Sequence, residues 1–247
     1  MRQLARAVQK KIPERFDITI FLRYKPVIEE IMQRGRGKNF KICEVGSGSW
    51  GIGPYLKKDF YGIDLSFSKE KSKYLKGVKG SATQLPKAWN SKFDYVISVD
   101  MLEHLAEKDR GKAISEMIRL SRKYVFILFP AGKLARITDK ILDKYYLFTH
   151  KEKLNYLKEH FKQALPDLKM VKQYVYQNKA DEGKFKEIKN IKVLNNSSCL
   201  VYLSLLMLGF SQNKLLTRLY GYSYFIRNVL AKINIFPYRK VLLITLK

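Results

Sequence analysis

Six residues, Gly46-Ser47-Gly48-Ser49-Trp50-Gly51, constrain this chain more than any other stretch. They follow the short apolar run Phe40-Lys41-Ile42-Cys43-Glu44-Val45, which predicts a buried strand, and precede Ile52-Gly53-Pro54-Tyr55-Leu56, which can open a helix. Glycines let the backbone turn sharply and approach a ligand with no Cβ in the way. A helix start then points unpaired N–H groups at anionic ligand atoms. The next apolar run, Phe60-Tyr61-Gly62-Ile63-Asp64, ends in an acid eighteen residues after Gly46. A carboxylate there can hold a ribose diol. Strand, glycine turn, helix and acid together predict a nucleotide-cofactor loop at the edge of a mainly parallel α/β sheet.

Dinucleotides and S-adenosylmethionine (SAM) both use that layout, and Glu44 separates them. A carboxylate two residues before Gly46 would repel a pyrophosphate, whereas the ammonium and sulfonium of SAM would attract it. The alternative for Glu44 is a strand-end charge paired with a nearby lysine. Further on, Phe93-Asp94-Tyr95-Val96-Ile97-Ser98-Val99 predicts another strand, followed by Asp100-Met101-Leu102-Glu103-His104-Leu105.

Taken together, the Glu44-to-Gly48 segment, Asp64 and the run from Phe93 to His104 resemble the class I SAM-dependent methyltransferases, in their type 11 group. The resemblance spans roughly residues 38–168 and a last strand near 239–246. It implies a Rossmann-like, seven-stranded, mostly parallel sheet with helices on both faces, and SAM as cofactor. It also implies roles. Gly46, Ser47, Gly48 and Gly51 would cradle the methionine and ribose portions, and Asp64 would accept from the ribose hydroxyls. Leu65 would lie against the adenine, with Ala82 and Thr83 at its edge. Asp100 and Met101 would lie near the methionine end. Three features depart from the pattern: bulky Trp50 in the loop, Ser81 where an acid is usual near the adenine amine, and a long insertion before the last strand.

Asp100, Glu103 and His104 share about one turn at the carboxyl edge of a strand, where ligands bind in such sheets. A neutral histidine suits general-base work near pH 7. A Mg²⁺ on Asp100 and Glu103 would instead polarise an acceptor hydroxyl. Plain helix N-terminal acids are a third reading. We take His104 and Glu103 as the catalytic candidates, with no resident metal.

The chain has 247 residues, 46% of them apolar, enough for one large domain with an appendage. Cys43 and Cys199 are too few and too far apart for a disulfide framework or a zinc site, so a reducing cytoplasmic setting is expected. Met1 to Arg6 lacks a signal-peptide core, and no apolar run reaches the ~18 residues of a membrane span. There are 48 Lys and Arg against 22 Asp and Glu, a formal charge of +26, which favours polyanions. From Ile188 to Lys247 there is no acid at all.

The pattern predicts helices over 18–34, with a break at Pro26, from Ser68 to Leu75, and over 106–121. Thr149-His150-Lys151-Glu152 reads as a capping box opening a helix. His150 would then be a helix N-terminal residue, with a substrate-side role as the alternative, and His160 a surface one. Lys123–Phe129, Met170–Gln177 and Lys240–Leu246 read as strands. Residues 1–178 and 239–247 form the expected methyltransferase domain, and 179–238 a helical, basic and aromatic insertion beginning with a polar loop at Asp181–Lys184. That insertion reads as a lid, an interfacial helix pair on anionic lipid, a nucleic-acid platform, or a packed cap or dimer contact. The resulting expectation is methylation of an oxygen or nitrogen on a small lipid- or glycan-linked acceptor, by a cytoplasmic protein that docks peripherally on anionic membrane. An RNA methyltransferase is the alternative enzyme. A non-catalytic module binding membranes or polyanions is the alternative class.

Overall fold

The computed structural model describes residues 17–37, 39–177 and 187–247. Asp17 caps helix α1 (Ile18–Arg34), its side chain accepting from the N–H groups of Thr19 and Ile20. The helix runs through Pro26 without the expected break. Tyr24, Val27 and Ile31 are buried against the sheet and hold the turns on both sides of the proline in register.

Strand β1 (Ile42–Val45) leads through the glycine turn to α2 (Gly53–Leu56) and β2 (Phe60–Asp64). Helix α2 is a single turn, closed by Lys57 in the left-handed conformation. Next come β3 (Leu75–Lys79), β4 (Phe93–Val99), α3 (Glu107–Leu120) and β5 (Ser121–Pro130). Helices α4 (Gly132–His150), α5 (Asn155–Lys162) and α6 (Leu168–Gln177) follow. Beyond them lie β6 (Ile188–Ser198), α7 (Cys199–Gly209), α8 (Lys214–Tyr222), α9 (Arg227–Leu230) and β7 (Pro237–Leu246).

The sheet has seven strands in the order β3-β2-β1-β4-β5-β7-β6. β1 to β5 are parallel, and β7 runs antiparallel between β5 and β6. Strand side chains alternate between two buried layers. Val96, Leu242 and Ile244 pack with α3 and α6 on one face. Tyr95, Ile97, Val99, Val241 and Leu243 pack with α1 on the other. The expected Rossmann-like sheet, covered on both faces, is therefore present. A third apolar cluster joins α4, α5 and α7 through Leu142, Leu157, Tyr202 and Tyr238.

Several local expectations fail, each for a physical reason. Met170–Gln177 is part of helix α6, not a strand; Val171 and Val175, four residues apart, are its buried positions. That run offers apolar residues at both two- and four-residue spacings, and its two valines favour a strand only until packing decides. The missing strand is β6, inside the stretch expected to be helical. It is the sheet's edge, so much of it is exposed and its sequence is largely polar. The helical part of the insertion therefore spans 199–236, between the last two strands. Residues Ser68–Tyr74 form no helix, and Leu75 begins β3 instead; the Ser68 N–H is taken by Ser49 Oγ at 2.7 Å, tying the segment to the glycine turn. Thr149 does not open a helix. It lies in the last turn of α4, its hydroxyl donating to Tyr145 O at 3.0 Å, and Lys151 stops that helix with a left-handed residue. His150 is thus a helix C-terminal residue. His160 is buried rather than on the surface. The loop at Asp181–Lys184 lies outside the described residues.

Candidate active site

Strand order reverses about β1 and β4, so the loops at their carboxyl ends diverge and leave a crevice. A cavity of about 730 Å³ lies there, lined by Gly46 to Gly51, Asp64, Leu65, Ser81, Ala82, Asp100, Met101 and His104. Ile20, Arg23 and Tyr24 of α1 and Glu159 of α5 complete it.

The glycines are needed where the backbone is left-handed and crowded. Gly46 has φ +77°, and a Cβ there would lie 2.5 Å from Met101 Cγ. Gly51 has φ +47°, and a Cβ would lie 2.5 Å from a Glu44 carboxylate oxygen. Gly48, also left-handed, has open space where a Cβ would point. Its N–H donates to Asp64 Oδ2 at 2.8 Å, which fixes the carboxylate under the loop. Leu65 is 76% exposed at the rim, an apolar surface beside Asp64. Ala82 and Ser81 border the cavity, whereas Thr83 faces a neighbouring depression and shares a hydrogen bond with the Ser81 hydroxyl at 2.9 Å. Ser47 is buried in the loop and its hydroxyl donates to Gly48 O.

Glu44 lies beneath the loop and does not line the cavity. It is fully buried, accepting from the Tyr24 hydroxyl at 2.5 Å and the Ile52 N–H at 2.8 Å. Those bonds tie β1 to α1 and to the end of the glycine turn. Burial pushes its pKa up from 4.5 to about 7, against the opposing pull of those two donors. The folded protein therefore holds this proton more tightly than the unfolded chain does. Stability from Glu44 is full below pH 4.5 and falls as pH rises towards 7. Relative to Glu44→Gln, the wild-type unfolding free energy in urea should decline over that window, by at most about 3 kcal/mol. A difference that stays constant with pH would contradict this.

Asp100 follows β4 directly, with φ +49°. Its carboxylate takes three hydrogen bonds from Arg239, at 2.7 to 2.9 Å, and an ion pair from Arg23 at 3.0 Å. Burial pushes the acid upward, but the two guanidinium groups override it and hold the carboxyl down at about 2. Asp100 is thus a fixed, neutralised anion at the cavity wall, already committed to arginines.

His104 and Glu103 follow in a short 3-10 turn, Leu102–His104. His104 faces the cavity, and its Nδ1 bonds Glu159 Oε2 at 2.5 Å. Glu103 does not line the cavity; it is 1% exposed, with no hydrogen-bond partner on either carboxylate oxygen. Burial, then the Asp100 charge, push its pKa well up. His160 meets it from α5. The sequence reading missed Arg23, Tyr24, Glu159 and Arg239. Each reaches the site from an element far away in the chain, and no local spacing marks it.

The family model described as a methyltransferase domain, type 11, matches residues 43–129. That span runs from β1 to β5 and contains the glycine turn, Asp64 and the Asp100 segment. A sequence search of curated proteins finds no match. Among solved structures, the methyltransferase domain of bacterial CtHen1-C is similar at 12% identity and a TM-score of 0.53, over 93% of this chain and 99% of that one. Haemonchus contortus phosphoethanolamine N-methyltransferase 2, solved with S-adenosyl-L-methionine, is similar at 16% identity and a TM-score of 0.53, over 95% of this chain and 58% of that one.

The cavity's own residues fit SAM. Open space at Gly48, a carboxylate at Asp64 and an apolar rim at Leu65 suit a ribose and an adenine. With the methyltransferase-domain model lying on this sheet and this loop, the chain is a SAM-dependent methyltransferase.

Proposed function

We propose that this methyltransferase acts on an oxygen or nitrogen of a small lipid- or glycan-linked acceptor, with His104 and Glu103 on the acceptor side. One observation carries the reading: the His104–Glu159 pair opens into the same cavity as the glycine turn and Asp64. When bound, SAM supplies a methyl group already activated on a cationic sulfur, so the chain has mainly to orient the acceptor and take up its proton. Gly46, Gly48, Gly51 and Asp64 hold the cofactor side, with Leu65 and Ala82 along the adenine. Met101 packs under Gly46 and sets the floor of the turn. Asp100 holds Arg23 and Arg239 in place, and Arg23 lines the cavity beside it. The bond between Glu159 and His104 Nδ1 orients the ring at the cavity wall, on the acceptor side. Thr83 serves through its bond to the Ser81 hydroxyl, and Glu44 through the Ile52 N–H it braces.

A lipid-linked acceptor also suits the surface. Helix α4 exposes Leu134, Ile137, Ile141 and Phe148, interspersed with Lys133, Arg136, Lys140 and Lys144. Helix α8 exposes Leu215 and Leu219 beside Lys214 and Arg218. Among the described residues no helix is long and apolar enough to cross a membrane. Such faces suit reversible docking on anionic lipid, where each Lys or Arg near the surface adds roughly 1 kcal/mol.

Tritiated SAM should be incubated with the protein and separate small-molecule, lipid, glycan and RNA fractions. Label is expected in a small-molecule, lipid or glycan fraction, together with salt-sensitive binding to anionic but not neutral vesicles. Label confined to RNA would overturn the acceptor reading. Equal binding to both vesicle types would overturn the electrostatic docking.

A further inference from the structure

Glu103 presents a problem that the methyl-transfer reading does not solve. Its carboxylate is buried, and neither oxygen has a hydrogen-bond partner. A buried charge left unpaired is costly, so groups of this kind are paired or bind a cation. The nearest polar atom given to it is His160 Nε2, 3.9 Å from Oε1. That is long for a hydrogen bond. It is, however, the separation of two ligands on one ion: atoms each about 2.1 Å from a metal lie roughly 3–4 Å apart.

His104 brings a third donor. One donor atom from each of Glu103, His104 and His160 fits within a 4.8 Å cluster. The two rings lie 5.2 Å apart, centre to centre. Each histidine is also braced from behind by a carboxylate. His104 Nδ1 bonds Glu159 at 2.5 Å, and His160 Nδ1 bonds Asp139 at 3.1 Å. Metal-bound histidines are commonly oriented in this way, with the outer N–H given to a carboxylate and the inner nitrogen left free for the ion. Asp139 is itself fixed by the Tyr238 hydroxyl at 2.5 Å. The cluster is therefore built from three elements: the turn after β4, helix α5, and α4 through Asp139.

We propose that Glu103, His104 and His160 bind one divalent transition-metal ion at the acceptor side of the cavity. The ligand set is two imidazole nitrogens and one carboxylate oxygen. That chemistry favours zinc, manganese, iron or cobalt over magnesium or calcium, which prefer oxygen. It differs from the Asp100–Glu103 magnesium site considered from sequence, because Asp100 is occupied by Arg239 and Arg23. Three protein ligands leave positions for water or an acceptor oxygen. The site itself rests on geometry alone; it deepens the acceptor-side reading above, and with an ion bound His104 would serve as its ligand instead of as the proton acceptor.

The full chain should be stripped with EDTA, dialysed and titrated with Co²⁺, following visible absorption, with Zn²⁺ as competitor. SAM binding, measured in parallel, reports that each protein is folded. Wild type should take up one equivalent of Co²⁺ and release it to Zn²⁺. Glu103→Gln preserves shape and His104→Ala removes a partly exposed ring; both should bind Co²⁺ at least about tenfold more weakly while still binding SAM. Wild-type protein that binds SAM but neither metal would overturn the proposal, as would unchanged Co²⁺ affinity in both variants. Failure of the methyltransferase reading would appear separately, as loss of SAM binding in the wild type.

Discussion

Replacing His104 with alanine should lower turnover by about 10²–10⁴-fold, the range for losing a positioned proton-transfer group. Affinity for SAM should stay close to the wild-type value. The split follows from the geometry. The cofactor side is built by the glycine turn and Asp64, whereas His104 enters the cavity from the turn after β4 beside Glu159. Glu159→Gln should cost less, because it loosens the ring without removing it. The measurement is kcat with the acceptor found by the labelled-methyl screen, alongside calorimetric SAM binding. Near-normal turnover in His104→Ala would remove His104 from the reaction.

Arg239→Met should destabilise the protein by about 3–5 kcal/mol, the cost of leaving a buried charge without its partner. Arg239 is 1% exposed and donates three of the bonds that satisfy Asp100. Arg23 then remains as the only guanidinium paired with Asp100 among the described residues, and its own side chain is 24% exposed. Adding Asp100→Asn should recover much of the loss, since it removes the stranded charge and asparagine tolerates the left-handed backbone there. Urea unfolding of the four members of this cycle gives the answer. A loss under about 1 kcal/mol in the single variant would mean that Arg23 alone satisfies Asp100.

Much of the fold was legible because it is written in local patterns. The apolar runs at β1, β2, β4 and β5 are short, continuous and bounded by turn residues, as strands buried on both faces should be. The glycine turn and Asp64 were legible for a different reason: their chemistry depends on close spacing along the chain. What could not be read was set by long-range packing. Helix α6 and strand β6 exchanged identities because Met170–Gln177 has mixed periodicity and β6 is a polar edge. His160 looked like a surface residue in a short basic helix, yet the fold turns it onto Asp139 and Glu103. Arg239 lies in the acid-free stretch from Ile188 to Lys247, where nothing local marks it. Only the antiparallel insertion of β7 beside β5 brings it to Asp100. Glu44 was read for its charge towards a ligand, and the structure spends that charge on Tyr24 and Ile52.

The most direct test is calorimetry of the purified full chain with SAM and with NAD. The expected result is one SAM bound per chain, far weaker binding of NAD, and a loss of about 1–3 kcal/mol in SAM affinity on Asp64→Ala, the range for hydrogen bonds to a charged group. Binding of NAD with no binding of SAM would contradict the assignment of this cavity as a methyl-donor site.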